Sequence, residues 1–133
     1  MSRIELADGQ LACVTIDGDR VTLALASAPA WRAGEGADTR PVLGHLSAVA
    51  LHFDAATVLI DAGCAIGDCL GAVREARLLV DGRLWRELPV PGDWTGPITL
   101  DLALRNGAGL RVSSQHLRLT LAEDSRFTES LAC

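Results

Sequence analysis

Three histidines (His45, His52 and His116), four cysteines (Cys13, Cys64, Cys69 and Cys133) and a scatter of carboxylates are the side chains here with reactive chemistry to offer. His52 and Asp54 stand two residues apart. On a strand that spacing puts them on one face. A carboxylate beside an imidazole fixes its tautomer and raises its basicity, the arrangement a general base uses. No nucleophile can be tied to the pair by spacing, so a solvent-facing strand end is the plainer reading. His116 beside Ser113 and Ser114 invites the same comparison and carries no more.

Cys64-Ala-Ile-Gly-Asp-Cys69 supplies two thiols at a spacing that suits half of a tetrahedral zinc site. The other half is missing. His45 and His52 are seven apart, so on one strand they point to opposite faces. Free thiols are expected, with no metal and no cofactor. Asp54, Asp61, Asp68 and Glu75 recur through the middle of the chain at spacings that turn and strand-end acids adopt. Nucleotide-binding glycine motifs and nucleophile-elbow motifs are absent.

The tryptophans are more informative. Trp31, followed by Arg32, and Trp94 lie in segments rich in Pro and Gly. A loop tryptophan near arginine is the composition of an interface anchor. The plainer alternative folds each ring back over an open end of a sheet. Trp31, Arg32, Trp94, His52 and Asp54 are therefore the candidate binding residues, and no residue is assigned a catalytic role.

Composition narrows the partners. The 133 residues carry a net charge of −5, and every basic side chain is Arg. No stretch gathers arginines free of acids, so the basic footprint that nucleic acid requires is missing. No apolar run reaches the roughly 18 residues of a membrane span. The N-terminus lacks the apolar stretch of an export signal, which points to the cytoplasm. Missing Lys and Tyr with a single Asn fit a GC-rich, bacterial gene.

Short alternating apolar runs separated by Gly-containing turns predict an all-β fold. Residues 11–16 and 21–26 flank Asp17-Gly18, a two-residue hairpin signal that sets Val14 opposite Val21. Residues 27–44 read as a long connection. Residues 46–53 and 57–62 read as a hairpin turning at 54–56. Asp68 suits the start of a short helix to about Leu79, but the alternation through 72–80 favours a strand. A three-residue loop at 81–83 keeps Arg77 away from Arg86 and opposite Glu87. Residues 89–97 read as a loop holding Trp94. A three-residue turn at 106–108 sets Leu104 against Leu110. Leu110 and Val112 are even-numbered while Leu117, Leu119 and Leu121 are odd, so a β-bulge is expected within 113–116.

These signals add up to one antiparallel domain over residues 1–133. It is a meander of about eight strands, a sandwich or flattened barrel, with at most one short helix. The expected function is a non-catalytic module that recognises a protein partner, through self-association in one version. A small-ligand-binding barrel is the alternative, and an enzyme using His52 and Asp54 the remoter one.

Overall fold

The computed structural model describes residues 2–33 and 40–130. Eleven strands run through them. These are β1 (Ser2–Ile4), β2 (Gln10–Asp17), β3 (Arg20–Arg32), β4 (Val42–Asp54), β5 (Thr57–Ile60), β6 (Gly71–Val80), β7 (Arg83–Trp85), β8 (Leu88–Val90), β9 (Gly92–Leu104), β10 (Gly109–Leu121) and β11 (Phe127–Glu129). The helical content among the described residues is one 3₁₀ turn, Ile66–Asp68. Six strands close a barrel in the order β3-β4-β10-β9-β6-β2 and back to β3. The other five attach to it: β1 to β3, β8 to β1, β5 to β10, β7 to β6 and β11 to β4.

Alternation makes the core. In β9, Ile98, Leu100, Leu102 and Leu104 are buried, while Asp101 and Ala103 between them are partly exposed. Leu51 and Phe53 from β4 and Leu117 and Leu119 from β10 meet them in one cluster. Each such side chain contributes about 1.5–3 kcal/mol on burial, which sets the faces of the strands. Ring closure is thinnest between β2 and β6. Only Gln10 and Leu11 pair with Ala72 and Gly71. Backbone bonds from Asp8 to the Val73 carbonyl (2.8 Å) and from Val73 to the Gly9 carbonyl (2.9 Å) extend the seam.

The strand over 72–80 and the bulge stand where the alternation put them, the bulge falling between Ser114 and His116. Three hairpin registers differ from expectation. Asp17 pairs with Arg20, so the turn is Gly18-Asp19 and Val14 faces Leu23 rather than Val21. The turn after β9 closes through Leu104 and Ala108, so Leu102, not Leu104, faces Leu110. That shift of two keeps the apolar face intact. The β6–β7 turn is the two-residue Asp81-Gly82, with Val80 opposite Arg83. The repulsion between Arg77 and Arg86 is avoided in another way. Strand β7 stops at Trp85, and Arg77 faces Asp101 of β9 across its other edge.

Two segments read as loops are largely strand. Trp31 and Arg32 end β3, and Val42 opens β4, within 27–44; residues 34–39 of that stretch lie outside the described residues. Trp94 lies in β9 rather than in a loop, because Gly96 and Pro97 bend the strand without ending it.

Residues 54–56 are not a hairpin turn. Strands β4 and β5 run in the same direction along one edge of β10, His116 opposite Asp54 and Ser113 opposite Thr57. The apolar phase changes across the break, from Val49, Leu51 and Phe53 to Ala56, Val58 and Ile60. That change matches the one in β10, so both strands turn the same corner together. Ala55 takes φ +50° there, a conformation that costs a residue with a Cβ roughly 1–2 kcal/mol.

Candidate functional site

The corner brings Ser114, His116, Asp54, Asp93 and Arg20 together. Ser114 is the one buried polar side chain among the described residues. Its hydroxyl donates to the Asp54 carbonyl at 2.6 Å and accepts the His116 N–H at 3.2 Å. The His116 ring then lies between two carboxylates. Nδ1 is 3.0 Å from Asp54 Oδ2, and Nε2 is 2.7 Å from Asp93 Oδ1. Arg20 stands 3.8 Å from the other Asp54 oxygen. The Asp54 hydrogen bond, with help from Asp93, raises the His116 pKa above its usual 6.5. The same bond holds the Asp54 carboxyl below its usual 3.8.

Ser114, His116 and Asp54 share the residue types of a nucleophilic triad but not its geometry. A relay needs the hydroxyl on one ring nitrogen and the acid on the other. Here acids take both nitrogens, and the hydroxyl serves the backbone. Sequence reasoning found His116 and Asp54 separately and missed their meeting, because 62 residues separate them.

His52 and Asp54 do share a face, but they are bonded to different partners. His52 Nε2 meets Thr120 Oγ1 at 3.0 Å and Nδ1 meets Thr22 Oγ1 at 3.5 Å. Partial burial, and secondarily Arg118, lower the His52 pKa. Trp31 is half-buried at the end of β3, facing Leu43 and Arg3 on its neighbours. Arg32 lies over the Phe127 ring, 4.7 Å from its centroid. Trp94 is buried, its ring edge-to-face with Trp85 at 5.7 Å. The five sequence candidates are thus not brought together into one site.

Among the described residues no group of His, Cys, Asp or Glu is arranged to hold a metal ion. Cys13, Cys64 and Cys69 are free. Burial pushes the Cys69 thiol up, away from the thiolate that disulfide exchange requires.

A cleft of about 880 Å³ opens over β5, β10, β9 and β6. Leu59, Arg111, Asp101 and Arg77 line it in one cross-strand row over β5, β10, β9 and β6. Leu84 and Trp85 of β7 line it as well. Asp101 accepts from Arg111 Nε at 2.6 Å. Leu59 is 67% exposed and Leu84 42%. Strand β5 pairs with β10 alone among the described residues, so its other edge is open.

Fold and site together define a closed, all-β barrel of six strands with five appended. Its polar corner is built from His and Asp, and among the described residues no helix is long and apolar enough to cross a membrane. Compared with family models, curated proteins and solved structures, the chain matches none of them.

Proposed function

We propose that the barrel is a non-catalytic binding module that recognises a protein partner, a second copy of itself included, along the open edge of β5. The observation that carries this reading is the character of that edge. Thr57–Ile60 carries no charge and no proline, one set of its alternate backbone groups bonds to β10 while the other faces the open edge, and Leu59 is 67% exposed. Proteins guard exposed edges with charge, proline or cover, since a bare edge templates another strand. An added strand would hydrogen-bond to β5 through its backbone and set side chains against Leu59 and the adjoining cleft. The three free cysteines among the described residues, one of them exposed, suit a reducing compartment such as the cytoplasm.

Light scattering over a concentration series tests the self-association. The wild type is expected to shift from monomer to dimer, and Leu59→Lys to remain monomeric with an unchanged circular-dichroism spectrum. A wild type that stays monomeric into the millimolar range, with no added amide protection in β5, overturns it.

The small-ligand alternative draws support from the cleft, whose volume falls among ordinary ligand sites. It draws none from the barrel interior. Leu23, Leu51, Phe53, Leu100, Leu117 and Leu119 are each at most 1% exposed, too closed to line a lumen that admits water.

A further inference from the structure

We propose that His116, held between Asp54 and Asp93, is a pH-dependent fastener that fixes the corner where β4 gives way to β5. Three strands contribute to it: Asp54 ends β4, Asp93 is the second residue of β9, and His116 follows the bulge in β10. Its two ring nitrogens lie 3.0 and 2.7 Å from carboxylate oxygens. A neutral imidazole has one N–H and one lone pair, so it can satisfy only one of these carboxylates. The other would face a lone pair. Only the imidazolium donates to both.

The charged surroundings fit that state. From β4 come Asp54 and, two residues back, His52. From β9 comes Asp93. From β10 comes Arg118, cross-strand from Asp93 and His52. From the start of β3, Arg20 approaches Asp54 at 3.8 Å. Strand β5 adds Thr57 and no charge. Two carboxylates therefore face one imidazolium and two guanidiniums.

The pH window follows from the two shifts. The Asp54 contribution is complete above the usual 3.8 and is lost as pH falls through its lowered native value. The His116 contribution is complete below the usual 6.5 and is lost as pH rises through its raised native value. Between about pH 4 and 6.5 the fastener is whole. Above that window one carboxylate loses its donor. The Ser114 bond to the Asp54 carbonyl remains, so the loosening is local to the corner and to β5, which hangs from it. This inference concerns the free protein and stands whether or not β5 docks a partner.

The test is an NMR titration of the histidine rings with amide hydrogen exchange, on the full chain, for wild type, His116→Gln and Asp93→Asn. The His116 ring is expected to titrate above 6.5 in wild type and lower in Asp93→Asn. Protection of Thr57–Ile60 amides, corrected for intrinsic rates, is expected to fall roughly threefold or more above the window, while Leu23 and Leu25 hold. His116→Gln should abolish that pH dependence. If His116→Gln fails to fold, Asp93→Asn shifting the transition to lower pH supports the same conclusion. A His116 ring that titrates at or below 6.5, or a protection loss uniform over the chain, overturns it.

Discussion

Ser114 donates its hydroxyl to the Asp54 carbonyl at 2.6 Å, directly beside the break between β4 and β5. The same oxygen accepts the His116 N–H. One hydroxyl thus ties the β10 backbone after the bulge to the end of β4. Removing it takes a hydrogen-bond partner from a part-buried donor and acceptor, at up to about 1–3 kcal/mol for such a group. Ser114→Ala is expected to lower the urea midpoint by that order, and Ser113→Ala, on the half-exposed face, by much less. Equal small effects for the two would show that water takes over the Ser114 bonds.

His52 should titrate in the opposite sense to His116. Its ring is partly buried, accepts or donates only to threonines, and feels Arg118, so its native pKa lies below 6.5. As pH falls from 6.5 towards that native value, the unfolded chain gains a proton that the folded one resists, and stability drops. His52→Gln removes this loss. Denaturation curves between pH 5 and 8 are expected to show the variant less sensitive than wild type below pH 6.5. A wild-type His52 ring that titrates above 6.5 would contradict the arrangement.

The alternation within β9 and β10 was enough to read their faces, because a period of two is local and a buried Leu row tolerates only one phase. The bulge in β10 was legible for the same reason. The equivalent slip from Phe53 to Val58 and Ile60 carried the same signal in β4 and β5. It was masked there by a short spacer that suits a hairpin. Charge repulsion between Arg77 and Arg86 misled, favouring a three-residue loop where the turn is the two-residue Asp81-Gly82, because β7 stops at Trp85 before the two arginines come opposite each other. A Trp flanked by Pro and Gly reads as a loop, but Trp94 sits in a strand bent by Gly96 and Pro97. The His116 corner was illegible because its register, not its sequence spacing, brings Asp54 and Asp93 to one ring.

Trp94 belongs to the core, and its removal should cost accordingly. It is 7% exposed and stacks edge-to-face on Trp85. Trp94→Ala is expected to destabilise the barrel by about 3–5 kcal/mol, as large aromatic truncations do. Gly92→Ala should also destabilise it, since a Cβ there would lie 2.6 Å from the Pro89 carbonyl and 2.5 Å from the Trp94 ring. Trp31→Ala, half-buried at a strand end, should cost about 1 kcal/mol or less. Far-ultraviolet circular dichroism through a urea titration measures all three without relying on the rings replaced. A Trp94 variant as stable as the Trp31 variant would return Trp94 to the surface role its sequence context suggested.

Asp101 faces Arg77 on one side and Arg111 on the other, and is hydrogen-bonded to Arg111 at 2.6 Å and 3.3 Å. It is the one acid between two guanidiniums in the row that crosses the cleft. All three side chains face solvent, so the attraction is modest and screened by salt. Asp101→Asn keeps the shape and removes the charge, leaving two arginines to repel across β9. Its melting temperature is expected to fall below wild type at low ionic strength and to recover most of the gap as salt rises. Arg77→Gln added to Asp101→Asn should close the gap at low salt, because the repulsion needs both cations. A gap that salt does not change would place the effect in lost packing rather than in charge.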